Sequence, residues 1–217
     1  MLNHPDRLFP VEVRSRELAR SLYDSIKNLP LICPHGHCDP RWFAQNEAFA
    51  NPAELFVIPD HYVFRMLVSQ GLTMAELGVP SDDGSPVETD PTKIWQRFAE
   101  NYHLFRGTPS MMWLDHCFEF LFELDTPLSP DTAEHYYQVI SARIAEDDFR
   151  PRSLFDRFNI EALSTTDCAL DDLQWHKAIR EDSWNGRVLP TYRPDKVVDP
   201  ENQHFAQNIA KLGKLTG

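Results

Sequence analysis

The sequence has few of the features that mark secreted, membrane-spanning or nucleic-acid-binding proteins. It holds only four cysteines in 217 residues and no Cys-x-x-Cys spacing, which favours reduced thiols over a disulfide framework. No apolar run approaches the roughly 20 residues that span a bilayer, and the first residues lack the apolar core of a signal peptide. Acidic residues outnumber basic ones by 33 to 21, which disfavours nucleic acid and anionic membranes as partners. We therefore expect a cytoplasmic protein without either partner.

A short apolar run bounded by prolines leads directly into a pair of histidines. Residues 29–32, Leu-Pro-Leu-Ile, predict a buried strand that precedes Cys33-Pro34-His35-Gly36-His37. Alternate side chains of an extended chain share a face, so His35 and His37 can point at one place while Gly36 lets another group approach closely. The pattern predicts half of a divalent-metal site, although an ordinary histidine pair is the alternative because a site needs three or four ligands. We interpret the flanking Cys33 and Cys38 as small buried residues rather than as further ligands.

Helices are predicted on both sides of this strand. Ser15 is a candidate N-cap for a helix to about residue 28, in which Leu18, Leu22 and Ile26 form one apolar stripe. Later helices are predicted from residues that favour the N-cap position, most of them followed by proline, at Asn51, Asp60, Asp90, Thr108 and Ser129. Residues 90–147 contain no convincing strand, so this part of the chain is expected to be helical.

The pattern changes to alternating strands and helices after residue 158. Residues 159–167 predict a strand and a polar loop, residues 171–182 a helix, and residues 187–195 another strand and loop. This order is typical of a parallel sheet, in which loops at the carboxyl ends of the strands build the active site. We therefore expect three polar clusters at one rim: His35 with His37, Thr165-Thr166-Asp167, and Tyr192-Arg193 with Asp195. Asp171 and Asp172 are interpreted as helix-capping residues, and Trp175 and His176 as packing or surface residues.

Four motifs carry a family resemblance. They are HGHCDP at 35–40, DHYVFR at 60–65, FNIEALSTTDCALDDLQWHKAI at 158–179 and VLPTYRPDK at 188–196. Together they resemble the uronate (glucuronate) isomerase family of the amidohydrolase superfamily. The resemblance implies an α/β fold, an incomplete (β/α)8 TIM barrel of the metal-dependent-hydrolase type with a helical insertion after strand 1. It divides the chain into an N-terminal helix and first barrel strand (1–40), the insertion (41–150), and barrel strands 2 and 3 with the remainder absent (151–217).

The resemblance also implies a reaction and a set of site residues. The family interconverts D-glucuronate with D-fructuronate, and D-galacturonate with D-tagaturonate, in hexuronate catabolism. By similarity, His35 and His37 are ligands of a divalent metal, expected to be zinc. Tyr62 is an active-site residue that contacts the substrate or the transferred proton, and Arg193 is a catalytic residue that also binds the uronate substrate. His61 and Arg65 are further substrate-binding candidates, and a homo-oligomer is expected.

Other interpretations remain open at this point. Arg193 can pair with Asp195 in a turn, and Tyr62 can be an interior residue of its helix. Another metal-dependent hydrolase of the superfamily and a non-catalytic helical interaction module are the alternative functions. A closed barrel needs eight strands and only three are predicted, so further ligands, including an expected strand-eight aspartate, lie outside this sequence. We therefore expect this polypeptide alone to be inactive or weakly active, and a poor metal binder.

Overall fold

The structure is a computed structural model that describes all 217 residues. Three β-strands are present: β1 (Leu31–Cys33), β2 (Ile160–Cys168) and β3 (Val188–Arg193). The α-helices are α1 (Val13–Ile26), α2 (Pro40–Gln45), α3 (Pro52–Phe56), α4 (His61–Ser69), α5 (Pro91–Glu100), α6 (Pro109–Phe122), α7 (Ala133–Ile144), α8 (Pro151–Arg157), α9 (Gln174–Glu181), α10 (Asp195–Val198) and α11 (Phe205–Thr216). Short 3₁₀ helices occupy Ala75–Leu77, Tyr102–Phe105 and Asp147–Phe149.

The chain forms two compact units. The first, which we call the helical unit, comprises Met1–Ser25 and Ala48–Phe149. The second, the sheet unit, comprises Ile26–Glu47 and Arg150–Gly217 and contains all three strands. The fold is therefore mixed α/β with a small parallel sheet. None of its helices combines the length and the apolar character that crossing a membrane requires.

The helical unit is built around aromatic side chains. Trp95, Phe98, Tyr102 and Phe118 are at most 2% exposed. Their rings meet in edge-on or tilted contacts with centroids 5.4–6.3 Å apart, the geometry that aromatic quadrupoles favour. The indole nitrogen of Trp95 donates to the Ala133 carbonyl at 2.9 Å, so the largest buried ring also has its polar atom satisfied. As predicted, residues 90–147 contain helices and no strand.

Most helix starts follow from local capping chemistry. At four of the five predicted N-caps the side-chain oxygen accepts hydrogen bonds from backbone N–H groups of the first turn, which confirms the predictions for Asn51, Asp60, Asp90 and Thr108. The prediction for Ser129 is wrong, because α7 begins at Ala133. The Ser129 N–H donates to the Thr132 hydroxyl at 2.9 Å, so Ser129 belongs to a turn before the helix.

Helix α1 forms where it was predicted, but it begins at Val13, three residues before the start that an N-cap at Ser15 implies. Glu12 accepts hydrogen bonds from the N–H groups of Arg14 and Ser15 at 3.0 and 2.6 Å, so Ser15 lies inside the helix rather than at its cap. The predicted apolar stripe of α1 is exposed, with Leu18 and Leu22 each 62% exposed. The four-residue spacing of apolar side chains therefore predicted the helix correctly, but it did not show whether any other part of the protein packs against them.

The three strands form one parallel sheet in the order β1-β2-β3. Leu163 pairs with Cys33 on one side and with Val188 on the other. One face of the sheet packs into a core cluster together with helices α2, α8 and α9; its buried members are Phe43, Phe155, Leu163, Ile179 and Val188. The parallel arrangement predicted from the strand and helix order is thus present.

The predicted end of the second strand is wrong. Strand β2 runs to Cys168, so Thr165, Thr166 and Asp167 lie within the strand and not in a loop after it. Thr165 and Asp167 are only 1% and 8% exposed. They alternate with Leu163 along the strand and so share its face, which explains how polar residues come to be buried against α9.

Candidate functional site

His35 and His37 converge, as predicted. Their Nε2 atoms are 3.1 Å apart, and their rings meet edge-on with centroids 4.9 Å apart and planes at 79°. Two nitrogens bound at about 2.0–2.1 Å to one tetrahedral zinc ion lie roughly 3.3 Å apart. Both histidines are exposed, so an ion has access to them. The separation therefore fits two ligands of one metal, and it also fits a single hydrogen bond between neutral imidazoles.

The backbone around the pair explains its position. A β-carbon added at Gly36 would lie 3.0 Å from the Ser164 carbonyl oxygen, so the absence of a side chain lets this segment approach β2 closely. Two residues after His37, Asp39 accepts a hydrogen bond from the Arg41 N–H at 2.8 Å and caps α2, which begins at Pro40. The histidines are thus held in a short connection between β1 and α2.

The cysteines beside the pair behave as small core residues. Cys33 and Cys38 are both free and partly buried, and both pack against the core cluster of the sheet unit. Burial, with a smaller contribution from nearby Cys33, raises the pKa of the Cys38 thiol. Because the thiolate is the form that binds metals, this environment disfavours Cys38 as a ligand and supports the interpretation made from the sequence.

Arg193 is the last residue of β3 and pairs in register with Cys168 of β2. The Ala169 N–H donates to the Arg193 carbonyl at 3.0 Å, which fixes the backbone at this point. The side chain is exposed and forms no ion pair with Asp195, which begins α10. The turn pairing considered from the sequence is therefore absent, and the guanidinium remains available to an anion.

Tyr62, His61 and Arg65 lie together at the start of α4, in the helical unit. Tyr62 is 58% exposed, so it is not an interior residue of its helix. Its ring lies 4.2 Å from that of His61, centroid to centroid. Arg65 follows three positions later and is also exposed; residues at this spacing neighbour each other on a helix. The helix therefore presents a phenol, an imidazole and a guanidinium close together.

A buried polar network was missed from the sequence. The Thr165 hydroxyl donates to Asp167 Oδ2 at 2.6 Å and lies 2.8 Å from His176 Nε2. Because that hydroxyl has one proton, the geometry in which it donates to Asp167 leaves its oxygen to accept from His176 Nε2. His176 is 9% exposed and lies on the buried face of α9, so it is a packing residue rather than a surface residue, and its hydrogen bond to Thr165 was not predicted. A signal was available, because Ile179, three positions later, lies on the same buried helix face.

The prediction that the two aspartates before α9 cap it is wrong, because the N-cap position is Leu173 and no side chain caps the helix. Asp171 accepts a hydrogen bond from the Cys168 N–H at 2.8 Å, and Asp172 accepts one from the Gln174 N–H at 2.9 Å. They shape the turn into the helix, which begins at Gln174 rather than at residue 171. Their carboxylates are thus engaged by backbone donors close to them in sequence.

This chain contains no complete metal site. Nowhere do three or more histidine, cysteine, aspartate or glutamate side chains form a group that could hold an ion. The His35 and His37 nitrogens fit a shared metal in chemistry and separation. The residues present therefore match part of a ligand set and not a whole one.

Known proteins resemble this chain over nearly its whole length. The sequence profile of the glucuronate isomerase family matches residues 11–217. The uronate isomerase of Mesorhizobium japonicum is 56% identical over 216 residues, which is 100% of this chain and 46% of that protein. The uronate isomerase of Rhizobium meliloti is 56% identical over 213 residues, 98% of this chain and 45% of that protein.

Two solved structures agree with the sequence comparison. Glucuronate isomerase from Caulobacter crescentus superposes with a TM-score of 0.91 at 47% identity, over 98% of this chain and 44% of that chain. Uronate isomerase from Thermotoga maritima shares the fold, with a TM-score of 0.82 at 24% identity, over 99% of this chain and 44% of that chain. The chain spans less than half the length of these relatives. It belongs to the glucuronate isomerase family.

Proposed function

We propose that this chain supplies part of the active site of a uronate isomerase, which interconverts an aldehyde uronate and its keto isomer. The observation that carries the proposal is the convergence of His35 and His37 after β1, in the sheet that ends in Arg193 on β3. The membership of the chain in the glucuronate isomerase family favours this reaction over the metal-dependent hydrolase and the interaction module that the sequence left open.

The spacing of the sheet suits such a substrate. Strands β1 and β3 are both neighbours of β2, so they lie about 10 Å apart, two strand spacings of roughly 4.8 Å. A hexuronate carries its carboxylate at one end of the carbon chain and its reacting carbonyl at the other. We propose that Arg193 binds the carboxylate through its two-pronged guanidinium, while the carbonyl end lies near His35 and His37.

The steps of the proposed reaction suggest a role for each candidate residue. Aldose–ketose exchange moves a proton between adjacent carbons through an enediol, which requires a base and stabilisation of developing oxygen charge. We assign Tyr62 to contact the substrate or the transferred proton, and His61 and Arg65 to bind substrate beside it. His35 and His37 would hold a divalent metal, which we take to be zinc, and that ion would supply polarisation of the substrate oxygens.

The proposal extends to the fold and setting of the protein. We infer that residues 1–40 provide an N-terminal helix and the first strand of a (β/α)8 barrel, residues 41–150 a helical insertion, and residues 151–217 strands 2 and 3. The remainder of the barrel supplies the missing ligands. The assembled enzyme is proposed to be a cytoplasmic homo-oligomer that acts on small uronates and has no nucleic-acid or membrane partner.

Metal binding tests the histidine assignment. Cobalt(II) titration of the chain, followed by visible absorption, should show a weak complex that disappears in His35→Asn and in His37→Asn. The control His135→Asn replaces an exposed histidine of α7 and should leave the titration unchanged. Equal titrations for all of these proteins would contradict the assignment of the metal to this pair.

Turnover tests the reaction. The chain alone should convert D-glucuronate to D-fructuronate very slowly or not at all, and normal enzymatic turnover by it would contradict the claim that further ligands are needed. In an active assembly, Arg193→Lys should lower kcat/KM by about tenfold or more because lysine cannot form the paired hydrogen bonds to a carboxylate. An assembly that carries every part and hydrolyses lactones or amides, but leaves uronates unchanged, would overturn the proposed function.

A further inference from the structure

The connection between α9 and β3 contains an asparagine followed directly by a glycine. Of all the asparagines in the sequence, only Asn185 precedes a glycine, Gly186. Asparagine is a thermolabile residue in proteins, because the backbone nitrogen of the next residue can attack its side-chain amide. A glycine at the next position favours this attack, since it has no side chain to block the approach. The pair is therefore the most reactive position of this kind in the sequence.

The structure leaves both reacting groups without a hydrogen bond. Asn185 is exposed, and its side-chain amide neither donates nor accepts a hydrogen bond within the chain. The Gly186 N–H donates to no carbonyl of the chain. Neither residue belongs to a helix or a strand, since α9 ends at Glu181 and β3 begins at Val188. The side chain of Asn185 can thus rotate toward the backbone nitrogen without breaking a hydrogen bond.

Packing explains why a glycine occupies position 186. A β-carbon added there would lie 2.1 Å from Cζ2 of the Trp184 ring, so any larger residue would displace that ring. Trp184 stacks on Phe43, with ring planes 3° apart and centroids 5.9 Å apart, and the guanidinium carbon of Arg152 lies 5.0 Å from its ring centroid. Because these contacts hold the ring in place, the fold requires the glycine that makes Asn185 reactive.

Positive charge near the pair favours the attack. The backbone nitrogen reacts after it loses its proton, and negative charge then develops on the side-chain oxygen. Lys177, Arg180 and Arg187 line the groove that also contains this pair, and cations close to a developing anion stabilise it. The one carboxylate in the same lining, that of Asp182, is paired with Arg152. The surroundings are therefore more cationic than anionic where the charge develops.

We propose that Asn185 is a site of spontaneous deamidation, a modification that is independent of the proposed function. The Gly186 nitrogen bonds to the side-chain carbonyl carbon of Asn185 and gives up its proton, the bond from that carbon to the side-chain nitrogen breaks, and ammonia leaves. The product is a five-membered succinimide. Water opens it to aspartate when the new bond to the Gly186 nitrogen breaks, or to isoaspartate when the original main-chain bond breaks. The net change consumes one water and releases one ammonia, with no oxidant or cofactor.

Isoaspartate at this position loosens the start of β3. It routes the main chain through the former side chain and lengthens it by one carbon, about 1.5 Å. Two residues after Asn185, the Arg187 carbonyl accepts a hydrogen bond from the Leu163 N–H at 2.9 Å, which joins this connection to β2. Both products also add one negative charge to a chain of net charge −12. That charge is exposed to solvent and has little effect on stability, so the extra carbon is what weakens the hydrogen bond.

Asp83 and Gly84 provide a matched comparison within the same chain. An aspartate before a glycine can form the same succinimide, and this pair also lies in an exposed loop. Here the Gly84 N–H donates to the Ser81 carbonyl at 3.1 Å, and the Asp83 carboxylate accepts from the Ser85 N–H at 2.9 Å. Hydrogen bonds from Ser85 and then Ser81 lower the pKa of Asp83 to about 2. Its carboxylate therefore stays charged and resists attack, and we expect this pair to remain unchanged.

Hydrogen exchange separates the effect of the extra carbon from that of the charge. The variant Asn185→Asp carries the charge without the longer main chain, and its Leu163 amide should exchange as slowly as in the unmodified protein. The isoaspartyl form, isolated by ion exchange, should exchange about tenfold or more faster at that amide. The Phe98 amide, on α5 of the helical unit, should exchange equally in all three proteins. Equal exchange of Leu163 in the isoaspartyl form and in Asn185→Asp would overturn the proposed effect on β3.

Peptide mapping of aged protein tests the modification itself. The folded chain is incubated in mildly alkaline buffer, digested and analysed by mass spectrometry, beside Asn185→Gln, which would have to form a six-membered ring and does so far more slowly. The peptide that contains Asn185 should gain about 1 Da, with at least about ten times the conversion of any other asparagine. An isoaspartyl methyltransferase with labelled S-adenosylmethionine should label the aged protein and not Asn185→Gln. No conversion in the folded chain, or equal isoaspartate at Asp83, would overturn the proposal.

Discussion

Replacing Arg152 with alanine is expected to destabilise the sheet unit by about 3 kcal/mol. The guanidinium of Arg152, on α8, donates to the carbonyl oxygens of Phe43 and Ala44 at 2.7 and 3.1 Å. It also binds both carboxylate oxygens of Asp182 at 3.0 and 3.3 Å, and its carbon lies 5.0 Å from the ring centroid of Trp184. One side chain thus joins α8 to the end of α2 and to the turn after α9.

The estimated loss of about 3 kcal/mol in unfolding free energy comes mainly from the two hydrogen bonds that Arg152 donates to the Phe43 and Ala44 carbonyl oxygens. Hydrogen bonds from a charged donor contribute roughly 1.5–3 kcal/mol each, so two at the lower limit give about 3 kcal/mol. The ring contact adds well under about 1 kcal/mol. The ion pair is left out of this estimate because the Asp182 side chain is 37% exposed and exposed pairs contribute little. Arg152→Lys should lose most of the same stability, since an ammonium cannot bridge all three partners.

The measurement needs a probe within the sheet unit. Native-state hydrogen exchange at the β2 amides of Ala162 and Leu163 reports its opening free energy. The control Arg187→Ala removes an exposed pair with Glu161, with side chains 58% and 50% exposed, and should change the opening free energy by less than about 0.5 kcal/mol. Equal effects of Arg152→Ala and Arg187→Ala would refute the reasoning, as would an Arg152→Lys variant as stable as the unmodified protein.

The pH dependence of stability provides a second test of the contacts between Arg152 and Asp182. Hydrogen bonds, first from the Trp184 backbone and then from Arg152, lower the pKa of Asp182. The pKa of Asp182 is therefore lower in the folded protein than in the unfolded chain, where it is about 3.9. The stabilisation that the charged Asp182 gives to the fold is present above that unfolded pKa and is lost as the pH falls through the folded pKa. The stability difference between the protein and its Asp182→Asn variant should therefore shrink in acid. A difference that does not change with pH would contradict this account.

Two further predictions concern buried polar groups. Thr165→Val keeps the shape of the side chain but leaves Asp167 and His176 without their shared partner, and should cost about 2 kcal/mol in urea unfolding, whereas Thr165→Ser should cost less. Burial raises the pKa of Asp115 although Tyr102 donates a 2.8 Å hydrogen bond to it. A raised folded pKa lowers stability above that pKa, so Asp115→Asn should melt above the unmodified protein at pH 7, with a smaller difference at pH 4. A constant difference would contradict the assigned cause.

Features set by neighbouring residues were predictable from the sequence. The caps at Asn51, Asp60, Asp90 and Thr108 depend on contacts within one turn, so the residue type alone predicts them. The prediction for Ser129 failed for an equally local reason: the Ser129 N–H donates to the Thr132 hydroxyl and the Ser129 carbonyl accepts from the Thr132 N–H at 3.2 Å, so residues 129–132 form a turn before the helix. The parallel sheet was predictable because alternating strands and helices leave few arrangements open.

Features set by distant residues were not predictable in the same way. The polar run after Leu163 was interpreted as a loop because nothing nearby in sequence shows that His176 satisfies Thr165 across eleven positions. The apolar stripe of α1 predicted a helix but not the residues that pack against it. Periodicity shows which side chains share a face of a helix and not what lies against that face. The convergence of His35 and His37 was predictable, since alternation in an extended chain is a local property.

The most direct test of the central claim is anomalous diffraction at the zinc edge from crystals of this protein grown with millimolar zinc. The claim is that the histidine pair after β1 forms part of a metal site. It predicts one anomalous peak about 2.0–2.1 Å from the Nε2 atoms of both His35 and His37. A peak at Cys33 and Cys38, or zinc bound elsewhere with this pair left bare, would contradict it.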